Sequence, residues 1–203
     1  MKILAFQGSP RLGGNTDLLL EAFLKGAREA GAECEKINLY RINIKPCLEC
    51  GECDTTGECV IPDDMAQIYP KIDAADVIVV ASPIFFYNIT SYTQALVERS
   101  QARWVCKYVL KKDPPFGKKK AGVFLSLGAT KGKKLFEGVQ RVIRYFFDAV
   151  YADYEGGLFY RGVEKKGAIK DHPTALKEAY NLGLCVGRGE PRESWPLVRE
   201  KTP

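Results

Sequence analysis

No stretch of the chain approaches the roughly 20 apolar residues that a membrane-spanning helix needs. The opening Met1-Lys2-Ile3-Leu4-Ala5-Phe6 is too short an apolar run for a secretory signal. A cytoplasmic protein with no membrane partner is the expectation. The basic runs Lys118-Lys119-Lys120 and Lys131-Gly132-Lys133-Lys134 come with no nucleic-acid recognition motif, and the net charge is only +5. They read as solvated surface beside strand and helix ends, and nucleic acid is not an expected partner. The loop after the first expected strand is neither G-x-G-x-x-G nor G-x-x-x-x-G-K-[ST], which excludes an announced dinucleotide or triphosphate site there. The only histidine, His172, precedes an expected helix start and reads as a surface or capping residue. There is no internal repeat and no low-complexity segment.

What the chain does have is a cluster of thiols. Cys47, Cys50, Cys53 and Cys59 fall within thirteen residues, spaced C-x2-C-x2-C-x5-C, and account for four of the seven cysteines. In a reducing compartment such a run reads as metal-binding or redox-active before it reads as a disulfide framework. Cys34, Cys106 and Cys185 stand apart, at expected strand and helix positions, and packing explains them.

The 203 residues suffice for one domain with a sizeable core. Lys2 to Gln7 is a short apolar run that suits a buried strand. A glycine-rich loop follows, then a helix capped by Asn15 or Thr16 and closed by Gly31, with Leu19, Leu20, Phe23, Leu24 and Ala27 as its stripe. Cys34 to Leu39 reads as the second strand. After the cysteine loop (45–61), Asp63 can cap a helix that Pro70 should kink or shorten. Val77 to Ala81 is the clearest strand, and Ser91 with Gln94 gives a capping-box pattern for the next helix. Residues 107–119 read as an exposed connection. Ala121 to Leu125 gives a fourth strand, Phe136 to Phe147 a helix, 152–160 a fifth strand, and Asp171 or Thr174 caps a last helix. From Gly187 the tail reads as irregular. Strands alternating with helices predict an α/β doubly wound parallel sheet of order 2-1-3-4-5, as one domain over 1–203, because right-handed crossovers must cover both faces.

In such a sheet ligands bind beyond the carboxyl ends of the strands, between strands 1 and 3. Loop 8–16 opens a helix and carries Ser9, Arg11, Gly14, Asn15 and Thr16. Backbone N–H groups, the helix dipole and four anion-binding side chains make it a phosphate site, and a monophosphate suits it. Loop 82–88 is the opposite in character. Pro83, Ile84, Phe85, Phe86 and Tyr87 form an apolar, aromatic ledge for a planar ring, with Asn88 at the ring edge; core packing is the rival reading for Phe85 or Phe86. Leu127, Gly128 and Ala129 lie next door. A monophosphate loop, an aromatic ledge and this strand order together point to FMN.

The segments GSPRLGGNT, CLECGECDTTGECVIPDDM and ASPIFFYNITSYTQALVERSQ, following strands 1, 2 and 3, resemble the flavodoxin-like NAD(P)H-dependent FMN reductases. The compact cysteine run looks most like the iron–sulfur flavoprotein branch of that family. Gln94 and Glu98 depart from the lysine and aspartate common there. The resemblance implies FMN in loops 8–16, 82–88 and 126–130, and a [4Fe–4S] cluster on Cys47, Cys50, Cys53 and Cys59. It also implies homodimers or homotetramers. Spacing agrees with the cluster. C-x2-C-x2-C wraps a tight turn with Gly51 inside it, and Cys59 can supply the fourth corner. Zinc, the main rival, more often uses two separated C-x2-C pairs.

Three activities are then open. In the first, electrons pass from a ferredoxin or NAD(P)H through FMN to a quinone, oxygen, peroxide or free flavin, with the cluster taking part. The second is a cluster-free NAD(P)H:FMN or quinone reductase. The third is a non-enzymatic flavodoxin-like electron carrier.

Overall fold

A computed structural model describes residues 1–117 and 119–199. In chain order the elements are β1 (Lys2–Gln7), α1 (Asn15–Glu29), β2 (Glu33–Asn38), the short α2 (Cys53–Thr56), α3 (Met65–Ala74), β3 (Val77–Pro83), α4 (Ser91–Arg99), α5 (Gln101–Tyr108), β4 (Lys120–Gly128), α6 (Glu137–Ala149), β5 (Ala152–Arg161) and α7 (Ala175–Gly187). The strands form one sheet of order β2-β1-β3-β4-β5, and every neighbouring pair is parallel. This is the order expected from the alternation of strands and helices.

The alternation within β1 shows how both faces are covered. Ile3 and Ala5 join Leu19, Leu20, Phe23, Leu24, Ala179 and Leu182 on the α1/α7 side. Leu4 and Phe6 join Ile68, Ile72, Leu96, Ile143 and Phe147 on the other. Each large apolar side chain fully buried this way contributes about 1.5–3 kcal/mol. Exposed ion pairs such as Lys25–Glu29 add under about 1 kcal/mol, so two-sided burial holds the sheet.

Several local expectations fail for identifiable reasons. The N-cap of α1 is Gly14, with no side-chain cap bond, rather than Asn15 or Thr16, because the Asn15 amide is engaged elsewhere. Pro70 neither ends nor shortens α3; buried Ile68, Tyr69 and Ile72 hold the helix through the missing N–H. The N-cap of α4 is Thr90, not Ser91, and Gln94 turns to Glu98 instead of closing a capping box. Neither Asp171 nor Thr174 caps α7 through its side chain. His172 does so, its Nδ1 accepting from Ala175 N at 3.1 Å. Lys120 is no solvated lysine: it is 1% exposed and donates to Val150 O at 3.3 Å. Lys118 and the end of the tail lie outside the described residues. The described tail folds back, burying Trp195 and bridging Val198 to Gly157.

Candidate functional site

Because the sheet is parallel, the loops after β1, β2, β3 and β4 all leave from one edge. The first is fixed from below. Gly8 donates to Ala81 O at 2.8 Å and its carbonyl accepts from Thr90 Oγ1 at 2.7 Å. A Cβ on Gly8 would come within 2.0 Å of Thr93 Oγ1, so only glycine fits this crossing. Gly14 N closes a turn onto Arg11 O at 3.0 Å, and Gly13, at φ +63°, donates to Asp17 Oδ2 at 2.7 Å. Asp17 is in turn paired with Lys36, which offsets its charge at the helix start. With no side-chain cap on α1, its first N–H groups are free to receive an anion. Ser9, Asn15 and Thr16 are buried before any ligand arrives.

Thr90 ties this loop to α4. Its hydroxyl caps α4 by accepting from Thr93 N at 3.3 Å while donating to Gly8 O. Thr90→Ala is therefore expected to lower stability by about 1–2 kcal/mol, measurable by urea denaturation, and to weaken flavin binding by loosening the 8–16 loop.

Beyond β3 the chain makes a tight hairpin. Phe85 and Asn88 exchange backbone hydrogen bonds at 2.8 and 2.9 Å, and the residues between them, Phe86 and Tyr87, have φ of +50° and +61°. That is a type I′ turn made without glycine or asparagine at its centre, a strained choice of the kind concentrated at binding sites. It leaves the Phe86 ring fully exposed. The Asn88 amide oxygen folds back to accept from Ile89 N.

One cleft of about 180 Å³ joins these loops. Ser9, Arg11, Gly14, Asn15, Thr16, Pro83, Ile84, Phe85, Leu127, Gly128 and Ala129 line it. Phe86, Tyr87 and Asn88 do not; the hairpin carries them past its rim. Val163, Glu164 and Lys166 also line the cleft, and sequence reading missed them. The Asn15 side chain pins that segment, donating to Lys165 O at 2.8 Å and accepting from Ile169 N at 3.2 Å. The signal was topological: α7 packs beside α1, so the link from β5 must cross the carboxyl edge above the intervening strands.

The cysteine loop follows β2. Cys47, Cys50, Cys53 and Cys59 are all free thiols, and all four line a second cavity of about 300 Å³ together with Gly51, Ile61, Arg99 and Ala102. Gly51 and Gly57, at φ +76° and +79°, make the sharp turns on either side of α2. Among the described residues, no group of three or more His, Cys, Asp or Glu side chains is drawn into a closed metal-ligand set. Burial, then the charges of Asp54, Cys59 and Cys47, push the Cys53 thiol above its ordinary value. A bound cation would reverse that balance and deprotonate it.

The cavity has a buried cation in its wall. Arg99, 1% exposed, pairs with Asp63 and donates to Lys45 O at 3.0 Å. Burial pulls the Asp63 carboxyl upward, but the Arg99 bond and the N–H groups of Lys45 and Met65 outweigh it and hold it below the usual range. The expected helix cap is thus only part of Asp63's role; it also joins the two ends of the cysteine loop.

A parallel β2-β1-β3-β4-β5 sheet with an uncapped helix start and an aromatic hairpin at its switch point defines a flavodoxin-like α/β protein. The sequence model of the NADPH-dependent FMN reductase family matches residues 1–156, and the chain belongs to that family. It is an FMN-dependent oxidoreductase. An iron–sulfur flavoprotein of Methanocaldococcus jannaschii is 29% identical over 192 residues, covering 92% of this chain and 95% of its own. An iron–sulfur flavoprotein of Methanosarcina thermophila is 38% identical over 132 residues, 64% of this chain and 65% of its own. In fold, the chain is similar to an NAD(P)H:quinone oxidoreductase from Methanothermobacter marburgensis, with a TM-score of 0.68 at 19% identity, covering 91% of this chain and 94% of that one. No helix among the described residues is long and apolar enough to cross a membrane.

Proposed function

We propose that this chain carries FMN in the 8–16/83–85/127–129 cleft and a [4Fe–4S] cluster on Cys47, Cys50, Cys53 and Cys59. It would move electrons between a ferredoxin-type or NAD(P)H donor and a small acceptor such as a quinone, oxygen, peroxide or flavin. The observation that carries this reading is that all four thiols line one cavity at the sheet edge from which the candidate flavin loops also leave. The names of the two archaeal relatives support it. The donor set fits the cluster in chemistry: four thiols and a buried guanidinium share one wall. When bound, FMN supplies hydride acceptance and single-electron release, and an iron–sulfur cluster supplies single-electron exchange.

The protein's own residues bind and orient. Arg11, Ser9, Thr16 and the first turn of α1 would hold the phosphate, and Pro83, Ile84, Phe85 and residues 127–129 would hold the ring system. Phe86, Tyr87 and Asn88, on the hairpin outside the cleft lining, would border the ring system. The chain would act as one cytoplasmic domain within a homodimer or homotetramer, a state that the exposed aromatic hairpin beside the cleft favours.

Arg11→Ala tests the phosphate assignment. Loss of a charge-assisted bond should weaken FMN binding about tenfold and leave riboflavin binding unchanged, as read by flavin fluorescence quenching. Equal losses for both ligands would remove the phosphate from this loop. The donor is tested by comparing turnover of a quinone with NADPH and with reduced ferredoxin. A rate with NADPH that is indifferent to the cysteines would favour the cluster-free reductase.

A further inference from the structure

Four thiols specify which atoms would ligate in the second cavity. They leave open what balances the charge collected there. Arg99 leaves the last turn of α4, and its side chain borders that cavity. It is among the largest fully buried side chains of the protein. Its Nη1 is spent on Lys45 O and the Asp63 carboxylate. Its Nε and Nη2 are buried and have no hydrogen-bond partner. A guanidinium cannot shed its proton, so these N–H groups stay donors. Leaving two of them unmet in a closed interior is costly unless something in the cavity accepts. The side chain of Asp63 is fully buried too, so this ion pair is not a surface ornament. If Arg99 only held the loop ends, Nη1 and the carboxylate would suffice. Arg99 and Cys59 line the same cavity, which puts the guanidinium's residue and a thiol in one wall.

We propose that Arg99 is a positioning residue for the group bound by Cys47, Cys50, Cys53 and Cys59: its free Nε–H and Nη2–H donate to the thiolate or sulfide sulfurs and set how readily that group accepts an electron. The proposal rests on the cluster reading given above. A thiolate-bound iron–sulfur group is anionic and gains a further negative charge when it takes one electron from a reductant. A fixed cation in the cavity wall favours the more negative state, and hydrogen bonds to the sulfurs act in the same direction. Asp63 opposes this by neutralising part of the cation. Arg99 and Asp63 therefore act as a matched pair that places the potential between the values either would impose alone.

The two variants should move in opposite directions. Holoprotein is loaded anaerobically with iron and sulfide and titrated with dithionite through mediators. Low-temperature EPR reads the reduced cluster separately from the flavin. Arg99→Gln is expected to keep its FMN and to shift the reduction equilibrium of the loaded fraction about tenfold toward the oxidised form, ~59 mV lower for a one-electron couple. Arg99→Lys, which keeps the charge and loses the fork, should recover part of that shift. Asp63→Asn should shift the equilibrium the other way. A purely structural pair would lower loading or thermal stability in all variants and leave the midpoint of the loaded fraction in place, and that result overturns the proposal. If Arg99→Gln does not fold, Asp63→Asn decides alone: a raised midpoint supports the proposal and an unmoved one overturns it. Wild-type protein that takes up no iron and sulfide would overturn the cluster reading itself. Full loading with unmoved midpoints would overturn only the role of Arg99.

Discussion

Cys53→Ser is expected to strip iron and acid-labile sulfide from the protein and leave its FMN in place. Cys53 opens α2 between the two sharp turns at Gly51 and Gly57 and lines the same cavity as Cys47, Cys50 and Cys59. It is half-buried, as are Cys47 and Cys59, whereas Cys50 is exposed. Serine keeps the volume and removes the soft donor that iron prefers. Outer-shell changes alone cost metal sites 10–100-fold in affinity, so loss of a ligand should reduce iron per chain by more than about tenfold. No residue of the FMN cleft belongs to this loop, and the metal-free variant should melt like metal-free wild type. Iron and sulfide assays beside a flavin extraction check all three points. Equal iron in variant and wild type would remove Cys53 from the ligand set.

The second large effect is on the fold. Gly183→Val is expected to lower stability by about 3 kcal/mol or more, because it forces α7 off α1. A Cβ on Gly183 would come within 2.0 Å of Phe23 O, and one on Gly26, from the opposite side, within 2.1 Å of Tyr180 O. Both obstacles are backbone carbonyls, which cannot swing aside as a side chain could. The helices cross with glycine against backbone, and over-packing there costs at the upper end of the usual 1–3 kcal/mol. Separation would also expose Leu19, Phe23, Ala179 and Leu182, now 0% exposed. For a chain of this size the melting temperature should fall by roughly 6–12 °C. Since α1 begins at the phosphate loop, FMN binding should weaken in parallel. A melting temperature within a degree or so of wild type would mean that the helices do not sit this close.

The strand order and the sheet edge at which the candidate loops gather were legible because they follow from global rules. Strand–helix alternation and right-handed crossovers leave few arrangements, and ligand loops then fall at the carboxyl edge. What escaped the sequence was decided by side chains choosing among competing local partners. Asn15 looks like a helix cap, yet its amide reaches across to Lys165 and Ile169, and glycine takes the cap. Ser91 and Gln94 fit a capping box, but Thr90 has the better offer, since it can bind Gly8 at the same time. Loop 82–88 could be recognised as an aromatic ledge, but not as a hairpin with two non-glycine residues at positive φ, because nothing local favours that turn. Nothing local marks Arg99; only tertiary structure shows it sealed beside the cysteines. Lys120 likewise belongs to a run that looks solvent-facing and proves buried.

The central claim, a flavin and a thiol-bound cluster in one chain, is tested most directly by the visible absorption spectrum of protein purified without oxygen, taken with iron, sulfide and FMN counts on the same sample. The expected result is flavin absorption riding on a broad iron–sulfur band, with iron and sulfide present in equal amounts at a fixed ratio to FMN. A clean flavin spectrum from a protein holding zinc or no metal would contradict it and leave the cysteine cavity without a role in electron transfer.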